Sequence, residues 1–377
     1  MSKALATPAV LEEPWIATQQ MGFASALVKW QRAHGRHDLP WQEKLDPYPV
    51  WLSEVMLQQT QVSTVKAYFA KFMDRFPRVE DLAQAQEEEV MSLWSGLGYY
   101  SRGRNLHACA QRVVQDYGGQ FPSEVKDLVN LPGIGPSTAA AIASICFAKK
   151  EAIMDGNVAR VLTRYLGYAG DLSLSVHQRA LKAMAQKLLP KQAKHMPTYT
   201  QGIMDLGATV CMPKRALCVE CPVRSDCVAH SQNRVLELPN KTKKIKRKNK
   251  SIYWLVAINE EMKVLGGRRS LEGIWAGMHA FPEFASEGAL LSSLPKGAKV
   301  QALAVVRHEL THLSLSIHPF VLRWNKKGKL ALSDLQSLNW MSLGQWMDVG
   351  RPKPVTDLLA QIKPLDGEAS EKSPSPH

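Results

Sequence analysis

Residues 131–138 read Leu131-Pro132-Gly133-Ile134-Gly135-Pro136-Ser137-Thr138, between a short helical stretch ending near Asn130 and an Ala-rich one running to about Ala148. Two glycines permit a backbone turn that residues with a Cβ resist. Pro136 suits the first position of a helix, where its missing N–H costs nothing. The turn therefore presents bare N–H groups and a helix N-terminus, an arrangement that holds an anion such as a DNA phosphate. Taken alone, the stretch also fits a plain connection between two helices. Helical periodicity surrounds it from Trp51 to about His230. Val62, Val65, Phe69 and Phe72 form one apolar face, and Val158, Val161, Leu162 and Tyr165 another. Gly118-Gly119 and Phe121-Pro122 punctuate these helices.

Moving towards the C-terminus, composition changes at Lys241–Lys250, where seven of ten residues in KTKKIKRKNK are basic. Such a block cannot bury itself and reads as a solvated linker, suited also to lying along phosphate. Beyond it the period shifts to two. Ile252–Ile258 reads as a buried strand and Leu313–Ile317 alternates cleanly, while Leu290–Leu294 and Val355–Ile362 read as short helices. This is a second, α+β domain. Residues 363–377, rich in Ser, Pro and Glu, read as a disordered tail.

The net charge of +13 favours a polyanionic partner, nucleic acid before membrane. No apolar run approaches the roughly 20 residues of a membrane span. Glu12 and Glu13 interrupt the region a secretory signal would occupy, so the chain reads as intracellular. Four of six cysteines fall within seventeen positions as Cys211, Cys218, Cys221 and Cys227. In a reducing compartment clustered thiols are metal ligands before they are disulfides, and zinc and an iron–sulfur cluster both take four thiolates. Cys109 and Cys146 lie in apolar helical stretches and read as buried bystanders.

Two carboxyls stand out. Asp155, in Ile153-Met154-Asp155-Gly156-Asn157-Val158, immediately precedes an amphipathic helix and suits an N-cap. A helix N-terminus also keeps a carboxylate ionised, fit to stabilise the oxocarbenium-like sugar that forms as a glycosidic bond breaks. Glu54, in Trp51-Leu52-Ser53-Glu54-Val55-Met56-Leu57-Gln58-Gln59-Thr60-Gln61-Val62, is a charge within a strongly apolar helix. On a polar face it would be an ordinary solvated side chain. Burial would raise its pKa and leave it protonated, as a general acid requires.

Together these stretches resemble the MutY-type adenine DNA glycosylases of the helix–hairpin–helix, endonuclease III superfamily, over roughly residues 22–360. The resemblance implies a mainly α N-terminal two-thirds followed by an α+β Nudix-like C-terminal domain. It divides the chain into an extension (1–20), an iron–sulfur cluster helical domain (21–38 and 150–232), a six-helix barrel with the helix–hairpin–helix (39–149), a basic linker (233–250), a Nudix-like mismatch-recognition domain (251–362) and a tail (363–377). It implies a [4Fe-4S] cluster on Cys211, Cys218, Cys221 and Cys227, and a monovalent cation at the hairpin. The partner it implies is duplex DNA carrying adenine opposite 8-oxoguanine or G, bound by a monomer without a membrane.

Glu54, Asp155 and Asn157 become the catalytic residues, Glu54 as acid and water activator and Asp155 as cation stabiliser or nucleophile. Trp41, in Leu39-Pro40-Trp41, borders the adenine pocket. Gln59, with Thr60 beside it, is placed as a wedge at the vacated base pair, and Tyr99, in Gly96-Leu97-Gly98-Tyr99-Tyr100-Ser101-Arg102, as an intercalator. Gly133, Gly135 and Ser137 contact phosphate. Thr311 and His312, in a reading loop spanning Arg307–His312, face the oxidised base. Here Leu310-Thr311-His312 departs from the usual Phe-Ser-His; the hydroxyl is kept and the aromatic is lost.

Gly266-Gly267-Arg268-Arg269, Leu271–Gly277 and Phe281-Pro282 resemble the Nudix-like part, yet Ala285-Ser286-Glu287-Gly288 stands where a glutamate-rich metal box would follow. That domain is therefore expected to read a base rather than hydrolyse a nucleotide. Endonuclease III-type enzymes carry a Schiff-base lysine where this chain has Ser137, and some MutY proteins a lysine where it has Ala159, so hydrolysis without a lyase step is expected. Two rival readings are a bifunctional pyrimidine glycosylase/lyase, which Ser137 and Glu54 oppose, and a non-catalytic iron–sulfur DNA-binding or redox-sensing protein, which leaves Glu54 and Asp155 without a purpose.

Overall fold

Apolar residues three and four apart do close into a helical core. The computed structural model describes residues 13–242, 247–324 and 336–362. Its contacts divide the chain into two units, one of residues 1–83 and 108–244, the other of residues 84–107 and 245–377. Expectations for residues 1–12, for 243–246 in the basic run and for the 363–377 tail lie outside the described residues.

The first unit is built from α1 (Glu13–His34), α2 (Pro47–Leu57), α3 (Val62–Arg75) and α4 (Val79–Gln84). After the excursion through α5 (Glu87–Trp94) and the start of α6 (Ser101–Tyr117), it resumes with α7 (Val125–Leu128), α8 (Pro136–Phe147), α9 (Gly156–Leu166), α10 (Ser175–Lys187), α11 (Met196–Asp205) and α12 (Val228–Ser231). Val65, Phe69 and Phe72 of α3 are buried, as are Val158, Val161, Leu162 and Tyr165 of α9, each set spaced to share one helix face. Phe23 of α1 sits among aromatics, 4.5 Å from Tyr165 and 6.2 Å from Tyr199 between ring centroids. In α8 every residue from Thr138 to Ile145 is buried. Its alanines let α2 and α11 approach closely, so this helix is apolar all round because it is surrounded. Gly118 and Gly119, both at positive φ, close α6 with N–H groups returned to Val114 and Val113.

The second unit is organised by an eight-stranded mixed sheet: β1 (Lys248–Asn259), β2 (Val264–Arg268), β3 (His279–Ala280), β4 (Glu283–Phe284), β5 (Val300–Ala302), β6 (Val306–Glu309), β7 (Leu313–Trp324) and β8 (Gln336–Met341). The order β3-β2-β1-β7-β5 forms the main path, with β4 on β1, β6 on β7 and β8 on β2. Strands β1 and β7 run parallel from Lys248 opposite Leu313 to Asn259 opposite Trp324. Helices α13 (Glu287–Ser292), α14 (Leu343–Asp348) and α15 (Lys353–Ile362) accompany the sheet. Successive residues of β1 serve different clusters. Leu255 and Ala257 join Leu265, Leu290 and Phe320, whereas Trp254 packs edge-on against Phe281, which meets Trp346 at 5.3 Å. A strand covered on both faces is continuously apolar, as Trp254–Ile258 is.

Three expectations change in detail. The basic run is not linker to its end, because Lys248–Lys250 already pair with Leu313–Leu315 in β1, with all three residues exposed. Backbone pairing places no demand on side-chain polarity, which is why composition hid it. Arg307, His308 and Glu309 are strand residues of β6, so the tight turn holds only Leu310, Thr311 and His312. The short helix near Leu290 lies at Glu287–Ser292, capped by Ser286 accepting from the Ala289 N–H at 3.1 Å.

Residues 84–107 group with the sheet through specific bonds. Arg268 reaches Glu87 and Glu88 at 3.0 and 3.1 Å. Ser95 Oγ accepts from the Arg351 N–H at 3.0 Å and donates to the Arg351 carbonyl at 3.3 Å. A Cβ on Gly350 would stand 2.8 Å from Cβ of Met91, so only glycine allows α5 to pack this closely. Among the described residues no helix is long and apolar enough to cross a membrane. Trp346 is fully buried and its indole N–H donates to the Val264 carbonyl. Trp346→Ala should therefore cost the sheet unit about 3–5 kcal/mol. Hydrogen exchange should show this as faster opening of β2 and β8 with α8 and α9 unchanged.

Candidate active site and nucleic-acid interface

In the helical unit, Asp46 caps α2 by accepting from the Tyr48 N–H at 2.9 Å, and Pro47 occupies its first position. The helix buries Tyr48, Val50, Trp51, Leu52, Ser53, Val55 and Met56, which leaves Glu54 on a face turned to a cavity of about 230 Å³. Gln31, His37, Trp41, Gln42, Thr198 and Gln201 also line that cavity. Glu54 keeps part of its surface accessible. Burial first, and the negative charge of Asp155 second, push its carboxyl up to about 7. Trp41 is 5% exposed and packs edge-on against Phe69 at 5.3 Å, so it is at once core and cavity wall.

Asp155 is the N-cap of α9, its Oδ1 accepting from the Val158 N–H at 2.7 Å, and it is exposed. Both sequence readings of this residue are thus compatible. Ser137 Oγ, at the start of α8, accepts from the Met154 N–H at 3.3 Å and ties the 131–138 turn to the Asp155 loop. Within that turn Leu131 and Ile134 are buried, Gly133 has φ +75°, and Gly133, Gly135 and Pro136 are exposed. Gly135 is extended, and a Cβ there would meet nothing within 4 Å, so the fold itself does not require its glycine. At the end of α2, Gln58 Nε2 donates to Thr138 Oγ1 at 3.3 Å. Gln59 then adopts φ +59° with its side chain exposed, a conformation that strains any residue with a Cβ. Thr60 closes the turn through its N–H to the Leu57 carbonyl.

Asn157 does not stand alone. Its Oδ1 accepts from Arg160 Nη2 at 2.8 Å, and the same guanidinium donates to the carbonyls of Gly207 and Cys211 at 2.7 and 2.8 Å. Gly207 lies in a π-helical turn, Leu206–Val210, and a Cβ on it would come within 2.8 Å of Asn157 Cβ. Arg164, 2% exposed, donates to Cys211 Sγ at 3.3 Å and to the carbonyls of Met212, Pro213 and Leu238. The thiols of Cys211, Cys218, Cys221 and Cys227 line one small apolar cavity of about 30 Å³ with Arg164, Arg224 and His230 beside them. None is in a disulfide. Among the described residues no three His, Cys, Asp or Glu side chains are gathered around a point that one ion would fill. Cys109 is fully buried and Cys146 partly so, and burial pushes both thiols up.

In the sheet unit, Tyr99 is 45% exposed at φ +47°, between Gly98 and the start of α6. Its hydroxyl lies 3.1 Å from Thr311 Oγ1, so the two residues singled out 212 positions apart meet. Arg102 braces the loop, its guanidinium over the rings of Trp94 and Tyr99 at 5.3 and 5.5 Å while Nη2 donates to the carbonyls of Leu97 and Gly98. Thr311 and His312 are exposed in the β6–β7 turn, closed by the Leu310 N–H to the Leu313 carbonyl at 2.8 Å. The Lys248 N–H donates to the His312 carbonyl at 3.0 Å.

The cavity residues Gln31, His37, Gln42, Thr198 and Gln201 were not anticipated. They come from α1, α11 and connecting turns, and no spacing in the sequence announces them. Asp205, fully buried in α11 and paired with Arg36 at 2.8 Å, was likewise unannounced.

Residues 52–265 match the HhH-GPD superfamily base excision DNA repair protein family, and residues 253–361 match the NUDIX domain. An adenine DNA glycosylase of Buchnera aphidicola subsp. Baizongia pistaciae is 34% identical over 345 residues, covering 90% of this chain and 97% of that protein. The adenine DNA glycosylase of Homo sapiens is 44% identical over 219 residues, covering 56% of this chain and 40% of that protein. A thermostable thymine-DNA glycosylase of known structure aligns with a TM-score of 0.52 and 29% identity, over 57% of this chain and 98% of its own. The chain belongs to the HhH-GPD superfamily of base excision DNA repair proteins, in its MutY-type adenine DNA glycosylase branch with a Nudix-like C-terminal domain.

Proposed function

We propose that this glycosylase removes adenine mispaired with 8-oxoguanine, and also with G, in duplex DNA, by hydrolysis alone. The reading rests above all on one observation, the Glu54 carboxyl held up to about 7 at a cavity and coupled to the charge of Asp155. Adenine must first leave the base stack, at a cost of a few kcal/mol. Glu54 then gives its proton to a ring nitrogen of the base, so that the electrons of the breaking C1′–N bond are accepted by a neutral leaving group. The sugar cation is stabilised by the charge of Asp155, the N-cap of α9, with Asn157 at the same turn. Glu54, now ionised, takes a proton from the water that adds to C1′, and the acid is regenerated. Ser137 and Ala159 offer no amine for an imine, so the strand is left intact.

For DNA binding, the bare amides around Gly133 and Gly135 suit phosphate, and the open space above Gly135 leaves room for it. The backbone of the 131–135 turn would hold a monovalent cation there, whose charge would favour an approaching phosphate. Gln59 and Tyr99 act as wedges, the strained backbone at each being the kind retained at functional positions. Thr311 and His312 read the oxidised base. The four cysteines suit a [4Fe-4S] cluster better than zinc. Four bonds of about 2.3 Å to one ion would draw the sulfurs onto a point, whereas a cluster spreads them around a larger body. Cys211, Cys218, Cys221 and Cys227 would hold the cluster, which would tie down the loop that carries Lys214 and Arg215 towards phosphate.

With duplexes carrying A opposite 8-oxoguanine, A opposite G, or oxidised pyrimidines, breaks should appear only at adenine and only after alkali. Breakage without alkali, or at pyrimidines alone, would reject the reading. Glu54→Gln should bind the mismatch but release adenine at least about a hundredfold more slowly. The wild-type single-turnover rate should fall as pH rises through about 7, where the acid form of Glu54 is lost. The same shift predicts a stability effect of opposite value to the enzyme. Between the ordinary 4.5 and about 7 the unfolded chain ionises Glu54 while the folded chain does not, so folding loses about 3 kcal/mol as pH rises across that window. The melting temperature of Glu54→Gln should therefore exceed that of wild type by a margin that grows from pH 5 to pH 8. Elemental analysis should find about four iron and four sulfide per chain with broad visible absorption, both lost in Cys218→Ser; stoichiometric zinc would reject the cluster.

A further inference from the structure

Asp205 lies at the end of α11 with no exposed surface, and its carboxylate is held from two sides. Arg36 donates its backbone N–H to Oδ2 at 3.0 Å and its Nε and Nη2 to Oδ1, both at 2.8 Å. Gln201 Nε2, one helical turn back, donates to the same Oδ1 at 3.0 Å. A carboxylate paired with a guanidinium has no hydrogen to offer, so only the NH₂ end of the Gln201 amide can face it. The amide oxygen is thereby turned the other way, and one N–H remains over. Gln201 and Glu54 line the same cavity.

An amide that presents its C=O beside an N–H complements the edge of adenine, where an exocyclic amino donor adjoins a ring-nitrogen acceptor. A 6-oxo purine places an acceptor opposite the amide oxygen, and rotating the amide to suit it would set that oxygen against the Asp205 carboxylate. We propose that Asp205, pinned by Arg36, is a positioning residue that locks the Gln201 amide so that the cavity accepts a 6-amino purine and rejects a 6-oxo purine. This rests on the cavity being the base site proposed above. It assigns substrate choice to an ion pair that need not touch the substrate.

The test uses the full-length protein in single turnover, with adenine or hypoxanthine opposite 8-oxoguanine. Asp205→Asn can face Gln201 with either end of its own amide, so the lock is released. Adenine release should slow about tenfold to hundredfold while hypoxanthine release holds within about twofold, collapsing the preference. The fall of the adenine rate through about pH 7 should stay in place, because Glu54 is untouched. Gln201→Leu should collapse the preference equally, and the double variant should be no less selective than Gln201→Leu alone. Because Asp205 is buried, Gln201→Leu carries the test if Asp205→Asn does not fold. A wild-type preference retained in Gln201→Leu, or both rates falling in parallel in a folded Asp205→Asn, would overturn the proposal. Absence of adenine release by wild type would instead overturn the functional reading beneath it.

Discussion

Withdrawal of one carboxyl from water is the constraint around which the helical unit is organised. A carboxylate in bulk water has no reason to keep its proton at neutral pH, and no leaving base could draw on it. Burying Tyr48, Trp51, Leu52, Val55 and Met56 on the faces flanking Glu54 supplies the missing reason. Asp155, fixed at the mouth of a different helix by its N-cap bond, adds like-charge repulsion. The apolar surroundings of Glu54 thus hold its proton, while Asp155 stands exposed at a helix end. The apolar packing of α2 in this sense sets the acidity of Glu54.

Much of this was legible in the chain because the signals are local. The 131–138 turn, the cap at Asp155 and the four cysteines each lie within one short window, where spacing fixes geometry directly. Glu54 was legible as an anomaly, a charge where the pattern calls for an apolar residue. What stayed hidden depends on contacts between distant segments. Gln201 and Arg36 stand 165 positions apart and meet only through Asp205. Residues 84–107 read as ordinary helix within a helical region, yet Arg268, Gly350 and Arg351 bind them into the sheet unit. The start of β1 was masked for another reason: exposed lysines pair through backbone groups that carry no signature in composition.

Arg160 and Gly207 show how the cysteine loop and the turn at Asp155 are kept in register. The π-helical turn brings the backbone of Gly207 against Asn157, and Arg160 spans from that asparagine to the carbonyl of the first cysteine. Neither contact involves a long chain of intermediates, so rearrangement of the loop is felt within two residues of Asp155. Tying down the 211–227 loop is then a way of fixing a helix terminus from outside the helix.

The backbone at Gln59 and Tyr99 carries a further implication. Nearby, at Gly96, Gly98 and Gly133, left-handed conformations are occupied by the residue that adopts them freely. At 59 and 99 the chain has the same option and does not take it, although a Cβ in that region costs roughly 1–2 kcal/mol. Relaxing either position to glycine would calm the fold while erasing the side chain. Ala148, Asn233, Met262 and Trp275 share that conformation, so at each of these turns a side chain stands where the backbone alone would be easier with glycine.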